Sequence, residues 1–464
     1  MRRVLALVCV CLVLAAVWFA YHAIQPFLSA FNSGNPVSSI ANQFNPPAGS
    51  VGWKLEHGQR VNILVMGYGG PGANDAPYLT DSDMVLSINP ATNQAMMASI
   101  PRDLKVQICA YTNGSCDVNK FNVAYSTGML NSAYTGKKPQ FSGADKDRGG
   151  NLAMQTASEV TGLHFDGYAA FDFDAFKYLV DDLGGVDVCL TSPLDDYQYP
   201  NNDDGYIAGG IHFKAGCQHV NGTQALELAR SRHAIQASQA TDFARIARQQ
   251  LLIEAIMKKA ESADAITRAP QLMQTLQTQF STDLSLTDLR ILYDWYKKVG
   301  PTGIGKVAVT LTNFLYDTDS DPSCADGAAY AYYECPLDPS WGILHQYFSS
   351  YFVPPRTLAE KAPIQVANAS YGLSDMGPQV VAALQPLGLD VTGQVRVDTS
   401  STSTVYDYSP KKDGKTAQWL ATYFGAKVVN ATSATPVPSP DPPTGGILLV
   451  LGRNFSLRWV GETT

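Results

Sequence analysis

Charge is scarce in this chain and leans acidic: 16% of residues are Asp, Glu, Lys or Arg, and the net charge at pH 7 is −8. Nucleic-acid binders are normally basic, so that class is set aside. Any anion handled here has to meet a local group of arginines, because the bulk charge repels it. Nucleophilic catalysis also lacks its parts, with no Gly-x-Ser-x-Gly turn and no Ser/His/Asp order to support one. The glycine-rich run Gly67 to Gly72 has no trailing Gly-Lys-Ser/Thr, so it is not a Walker A loop. His164, His212 and His219 are scattered and read as structural, and no C-x-x-C or paired histidine supports a zinc site. No short-period internal repeat is present.

Long hydrophobic runs are equally rare. The one that stands out runs from Val4 to Ala20, behind Arg2 and Arg3. Extended to Ile24 it makes 21 residues, roughly 30 Å of helix and about one bilayer core. The two arginines place the short leading end in the cytoplasm, and Trp18, Phe19 and Tyr21 suit the far interface. A cleaved signal peptide is the rival, but bulky Trp18-Phe19 and the lack of a small-x-small site favour an uncleaved anchor. Residues 1–24 are therefore expected to be a single-pass plasma-membrane helix, with the bulk of the chain extracytoplasmic. Cys9 and Cys11 follow valines and read as membrane-helix residues. Six further cysteines, an even number, suggest disulfides. Their spacing suggests Cys109–Cys116, Cys189–Cys217 and Cys324–Cys335.

Asn, Ser, Pro and Gly dominate residues 25–57, which read as a spacer. A first globular domain is expected over 58–352, a linker over 353–362 and a smaller unit over 363–453. The apolar runs Val61 to Met66, Met84 to Ile88 and Ala95 to Ile100 predict strands; so do Tyr168 to Phe171, Val186 to Leu190 and Val307 to Leu311. Helices are predicted from Asn151 behind Gly149-Gly150, over Ala175 to Leu183, through Leu228, and from Thr241-Asp242 onward. Further helices are expected over Ser285 to Lys298 and Trp341 to Tyr347. The smaller unit repeats a strand–helix–strand rhythm. Alternating short strands and helices indicate a layered α/β fold.

Two groups carry chemistry. Asp75, Asp81 and Asp83 follow the first strand on a glycine-rich stretch, and Asp81 and Asp83, two apart in extended chain, are expected on one face. Such carboxylates suit a hard divalent cation, Mg²⁺ or Mn²⁺, that keeps several waters. A solvated turn is the plainer reading. The second group is cationic: Arg230 and Arg232 share a face if extended, and Asp242, Arg245 and Gln249 fall at about 0°, 300° and 340° of one helix. Arg248 points elsewhere. Arginine matches phosphate geometry bidentately, so converging arginines beside a metal-binding loop suit a pyrophosphate.

These stretches resemble the LytR–CpsA–Psr cell-wall glycopolymer transferases. The likeness runs through Asn62 to Gly67, Leu79 to Ser82, Ser99 to Asp103, Lys120-Phe121-Asn122, Leu183 to Asp187, Leu228 to His233 and Asp242 to Gln250. Residues 363–453 resemble the family's accessory LytR C-terminal domain. The resemblance implies a layered αβα domain with a mixed central sheet, a small C-terminal α/β unit and an N-terminal transmembrane helix. It implies an enzyme that moves a glycan from a polyprenyl-diphosphate carrier to a peptidoglycan acceptor, forming a phosphodiester. Asp81 matches the metal-binding aspartate, Arg102, Arg230, Arg232 and Arg245 the diphosphate-binding arginines, and Asp242 and Gln249 the supporting polar positions. The chain departs from the pattern at Gly69, where many members carry an aspartate, and at Leu79, where many carry an arginine. Asp83 and Asp103 are candidate general bases. Two alternatives are a lipid-diphosphate hydrolase at the same site and a non-catalytic wall-binding protein.

Overall fold

The structure, a computed structural model, describes residues 46–452 apart from 71–77, 113, 135–140, 142–143, 202–204, 241, 261–279, 300–303, 310–313, 326–331, 353–354, 370–375, 410–413 and 440–442. The expected membrane helix and Asp75 lie outside these residues. Among the described residues no helix is long and apolar enough to cross a membrane.

Helix α1, Val51–Glu56, leads into β1, Val61–Tyr68; β2, Thr80–Asn89, and β3, Gln94–Ile100, follow as antiparallel neighbours. Helices α2, Val123–Tyr134, and α3, Asp145–Thr161, come next, then β4, Gly167–Asp172, parallel to β1. After α4, Phe173–Asp182, α5, Gly222–Arg230, and α6, Asp242–Ala260, the sheet is completed by β5, Phe280–Thr282, and β6, Ile304–Ala308, which flank α7, Leu286–Val299. The six strands run in the order β5-β4-β1-β2-β3-β6 with parallel and antiparallel pairs, a mixed central sheet.

Alternation along β1 and β2 sorts their side chains to two faces. Leu64, Met66 and Val85 join Leu152, Ala153 and Ala157 of α3 in one cluster, while Val61, Ile63 and Ile88 join Val51, Leu55 and Ile291 in another. Helices therefore cover both faces, the expected αβα layering. Gly149 and Gly150, expected to precede the helix, lie inside α3 because a side chain there has no room. A Cβ on Gly150 would sit 2.3 Å from the Tyr168 ring.

The end of the expected spacer is α1, whose buried Val51 and Leu55 at i,i+4 dock on the sheet. The last strand, expected over 307–311, is Ile304–Ala308, aligned with Ala95 to Ser99 of β3. The linker expected over 353–362 contains helix α9, Pro355–Glu360, which follows α8, Gly342–Ser350. Both Glu360 carboxylate oxygens cap the start of a later helix through Lys415 N and Thr416 N, each at 2.8 Å. That tie to a position 55 residues away is invisible in local composition.

The smaller unit places α10, Met376–Leu384, and α11, Lys415–Phe424, on a five-stranded sheet. Its strands are β7, Ile364–Asn368, β8, Val391–Arg396, β9, Thr404–Asp407, β10, Lys427–Asn430, and β11, Ile447–Leu451. Alternation in β8 leaves only every second residue covered, and β10 is exposed along its whole length, so neither carries a continuous apolar signal. The unit packs on the larger one through one continuous apolar cluster. Trp419 Nε1 donates to Ser350 O at 3.1 Å and Gln346 Nε2 to Thr422 O at 2.8 Å across this seam. Disulfides join Cys109–Cys116, Cys189–Cys217 and Cys324–Cys335, as the spacing suggests.

Candidate functional site

At the ends of β1, β2 and β4, beneath α4, α5 and α6, lies a pocket of about 290 Å³. Arg102, Arg230, Arg232, Arg245, Asp81 and Gln249 all line it. Four arginines from three distant stretches thus meet in an otherwise acidic chain.

Arg102 sits on the turn that ends β3. It is ion-paired to Asp81 through Nη1, and its Nε lies 3.3 Å from Asp103 Oδ2. Lys120 Nζ donates to the other Asp103 oxygen at 2.7 Å. Asn122 N donates to Arg102 O at 3.1 Å, and Thr80 N to Asn122 O at 3.2 Å. The Lys120-Phe121-Asn122 segment therefore holds the arginine turn against the start of β2. Asp103 is committed to these two cations and is not part of the pocket lining.

Arg230 ends α5, which starts at an Asn221 cap. Its guanidinium lies over the Phe173 ring at 4.3 Å and near Tyr199 at 5.9 Å, contacts that hold it without neutralising it. The chain turns extended at Ser231, and a buried carboxylate fixes the turn. Asp196 Oδ2 accepts from Ser231 Oγ at 2.7 Å, His233 N at 3.1 Å and Arg232 N at 3.2 Å. Its Oδ1 accepts from Gln198 N at 2.9 Å. From the other side Arg248 donates to Leu228 O, Ser231 O and Gln239 O at 2.6–2.9 Å. Burial pulls the Arg248 guanidinium down to about 10, still charged at neutral pH. The arginine expected to point elsewhere is a clamp on the open carbonyls of α5.

On α6, Arg245 and Gln249 face the pocket together. Gln249 ties two walls, accepting from Ser82 Oγ at 3.1 Å and donating to Ala229 O at 3.2 Å. Asp242 is the first residue of the same helix; its side chain lies outside the described residues.

The carboxylates depart from expectation. Asp81 and Asp83 are not on a loop but within β2, and they do not share a face. Gly67 pairs with Ser82 and Tyr68 with Thr80, so Asp81 is the extra residue of a bulge. The bulge resets the alternation. Asp81, Ser82 and Met84 turn to the pocket, while Asp83 lies between Met66 and Ile100 on the opposite, apolar face. Asp83 is 1% exposed, accepts from Thr80 Oγ1 at 2.8 Å and leaves Oδ1 without a hydrogen bond. Burial pushes its carboxyl up to about 7. It is removed as a metal ligand and as a base facing the pocket. Among the described residues no three His, Cys, Asp or Glu side chains group as a metal site. Asp81, ion-paired to Arg102, is the one carboxylate among the described pocket-lining residues, so a divalent cation held there would need its other ligands from water and substrate.

The family resemblance implies an apolar pocket for a lipid tail but does not locate it in the sequence. Val65, Met84, Phe171, Phe176, Leu226, Leu252 and Ile253 line it. The signal was present on α6, where Arg245, Gln249, Leu252 and Ile253 continue one stripe at i, i+4, i+7 and i+8.

The fold and site define a layered α/β protein with a pocket that is cationic at one end and apolar at the other, placed at strand ends. The sequence profile of the LytR_cpsA_psr family matches residues 27–331, and the chain belongs to that family. The polyisoprenyl-teichoic acid–peptidoglycan teichoic acid transferase TagV of Bacillus subtilis is 27% identical over 249 residues, 54% of this chain and 56% of that protein. The transferase of the same description, TagU, of Oceanobacillus iheyensis is 31% identical over 240 residues, 51% of this chain and 62% of that protein. The matches thus span little more than half the length of these relatives. The crystal structure of Bacillus subtilis TagV aligns at 24% identity with a TM-score of 0.45, covering 63% of this chain and 97% of that one.

Proposed function

We propose that this protein is a phosphotransferase that moves a glycopolymer from a polyprenyl-diphosphate carrier to peptidoglycan. One observation carries the reading: four arginines and Asp81 ring one end of a pocket whose other end is apolar. An amphiphile with two linked phosphates has that distribution of charge and grease. The names of the relatives point to the same chemistry.

The acceptor hydroxyl oxygen forms a bond to the sugar-side phosphorus, and the bond from that phosphorus to the bridging oxygen breaks. Polyprenyl phosphate leaves with the electron pair, and the hydroxyl proton passes to a base. Charge gathers on the non-bridging oxygens and the leaving phosphate, so the chief task is positioning and neutralisation. Arg230 and Arg232, held by Asp196 and Arg248, offer a fixed pair of guanidinium groups. Arg102, braced by Asp81 and Asp103, approaches from the sheet, and Arg245 from α6. Asp81 would be the residue to hold a magnesium ion, which would supply further neutralisation of phosphate charge. The apolar residues seat the first prenyl units and exclude water from the leaving side.

Three disulfides support an oxidising compartment, and the apolar run Val4 to Ala20 supports anchoring to the plasma membrane with the bulk outside. The test is transfer from a purified lipid-linked donor to peptidoglycan. Arg102→Ala, at a partly buried position outside the core, should keep the parent melting temperature and lose at least about 10²-fold in rate. Unchanged transfer in that variant refutes the assignment. Release of free glycan phosphate instead of a peptidoglycan adduct identifies hydrolysis.

A further inference from the structure

Past Arg232 the cationic end of the pocket opens into a second, shallower groove of about 470 Å³. Tyr197, Gln198, Arg232, His233 and Ile235 line it, and Gln198, Arg232 and His233 also line the deep pocket, so the two form one continuous surface. The groove differs from both ends of the pocket. It displays large side chains that are usually covered: Tyr197 is 54% exposed and Ile235 66%.

These residues stand on a braced frame. Asp195 N donates to Gln236 Oε1 at 2.9 Å, and Ile235 N to Asp195 O at 2.9 Å. Gln239 Nε2 donates to Ser192 Oγ at 3.0 Å, and the Asp196 carboxylate ties Gln198 N to the Arg232–His233 backbone. Tyr197 meets the His212 ring edge-on with centroids 5.2 Å apart, and His212 is pinned by Asp195 at 2.6 Å. The tyrosine is therefore presented by fixed neighbours at low entropic cost.

We propose that this groove is a carbohydrate subsite, with Tyr197 and Ile235 against the C–H face of a pyranose and Gln198 and His233 at its hydroxyls. The proposal rests on the phosphotransferase reading. In a lipid–diphosphate–sugar molecule the order is covalent, so with prenyl units in the apolar half and phosphates on the arginines, the sugar continues past Arg232. A tyrosine offers a pyranose an apolar ring face, and a glutamine amide both donates to and accepts from its hydroxyls. The same chemistry serves the glycan of the donor or that of the acceptor.

The test compares Tyr197→Ala, Tyr197→Phe and Ile235→Ser with the parent protein on three probes. Farnesyl diphosphate reports the phosphate and lipid ends alone. Polyprenyl diphosphate bearing N-acetylglucosamine reports a donor sugar. Muramidase-released peptidoglycan fragments, titrated as acceptor, report an acceptor sugar through KM. Tyr197→Ala and Ile235→Ser should leave farnesyl diphosphate affinity unchanged. They should weaken one sugar-bearing probe by about five- to tenfold, the scale of a single ring contact, with Tyr197→Phe restoring it. Loss on the donor probe assigns the subsite to the donor glycan, and a raised KM for the fragments assigns it to the acceptor. If all sugar-bearing probes behave as in the parent while farnesyl diphosphate binds, the carbohydrate subsite is wrong and the phosphotransferase reading stands. If the parent does not bind farnesyl diphosphate, both fall.

Discussion

Asp196→Asn probes the frame beneath the pocket arginines without substituting a residue that lines the pocket. Asp196 is fully buried and accepts four hydrogen bonds, three on Oδ2 and one on Oδ1. Asparagine can turn its single carbonyl oxygen to Ser231 Oγ, Arg232 N and His233 N. Its amide nitrogen then faces Gln198 N–H, donor against donor, and one partly buried N–H loses its partner at about 1 kcal/mol. The other three bonds lose charge assistance, roughly 0.5 kcal/mol each. The sum, about 2.5 kcal/mol, is a substantial part of an ordinary folding free energy of about 5–15 kcal/mol, yet leaves a folded protein. The loosened turn carries Arg232 and abuts Arg230. A misplacement of about 1 Å in such a group costs on the order of 10² in rate. The assay pairs urea unfolding with transfer from lipid-linked donor, and farnesyl diphosphate affinity serves as a third readout. Both stability and rate should fall. A variant with parent stability and parent turnover would show that the carboxylate does not organise the turn.

Asp83→Asn should raise stability at neutral pH. The folded carboxyl titrates at about 7 rather than its ordinary 3.8. Below pH 3.8 both states are protonated; between the two values only the folded state keeps its proton, so stability falls as pH rises through this window. The amide removes that dependence, gaining at most about 4 kcal/mol over the parent by pH 8 and little at pH 4. Asp283, pushed up to about 6 by burial, bends the parent curve as well but cancels in the comparison. Urea unfolding at pH 4.5 and 8 checks this, and an equal offset at both values would contradict it. Ile253→Asp, in the apolar half of the pocket, should weaken a long-chain polyprenyl diphosphate by about 2 kcal/mol, roughly thirtyfold, and leave inorganic pyrophosphate unaffected. Equal effects on both ligands would mean that the chain does not enter there.

Much of this protein is written locally. Apolar runs ended by turn residues mark the central strands, Asn221 announces the start of α5, and three cysteine pairs of short separation find each other. The ordered motifs around Arg102, Arg230 and Arg245 are also legible, because residue type and order need no coordinates.

Three matters were settled only by packing. Whether Asp81 and Asp83 act together depended on a single bulge opposite Gly67, which turns one carboxylate to the pocket and the other into the core. That Arg248 points away from Arg245 is legible in the helix period, but its task as a clamp depended on where the C-terminal carbonyls of α5 lie. The apolar half joins segments more than a hundred residues apart, from Val65 to Ile253, and the tyrosine groove brings Tyr197 beside Ile235. Composition and periodicity report which face a residue occupies on its own element, but contact between elements is set by how their faces pack. A one-residue change of pleat reverses that outcome while barely altering the pattern of residue types.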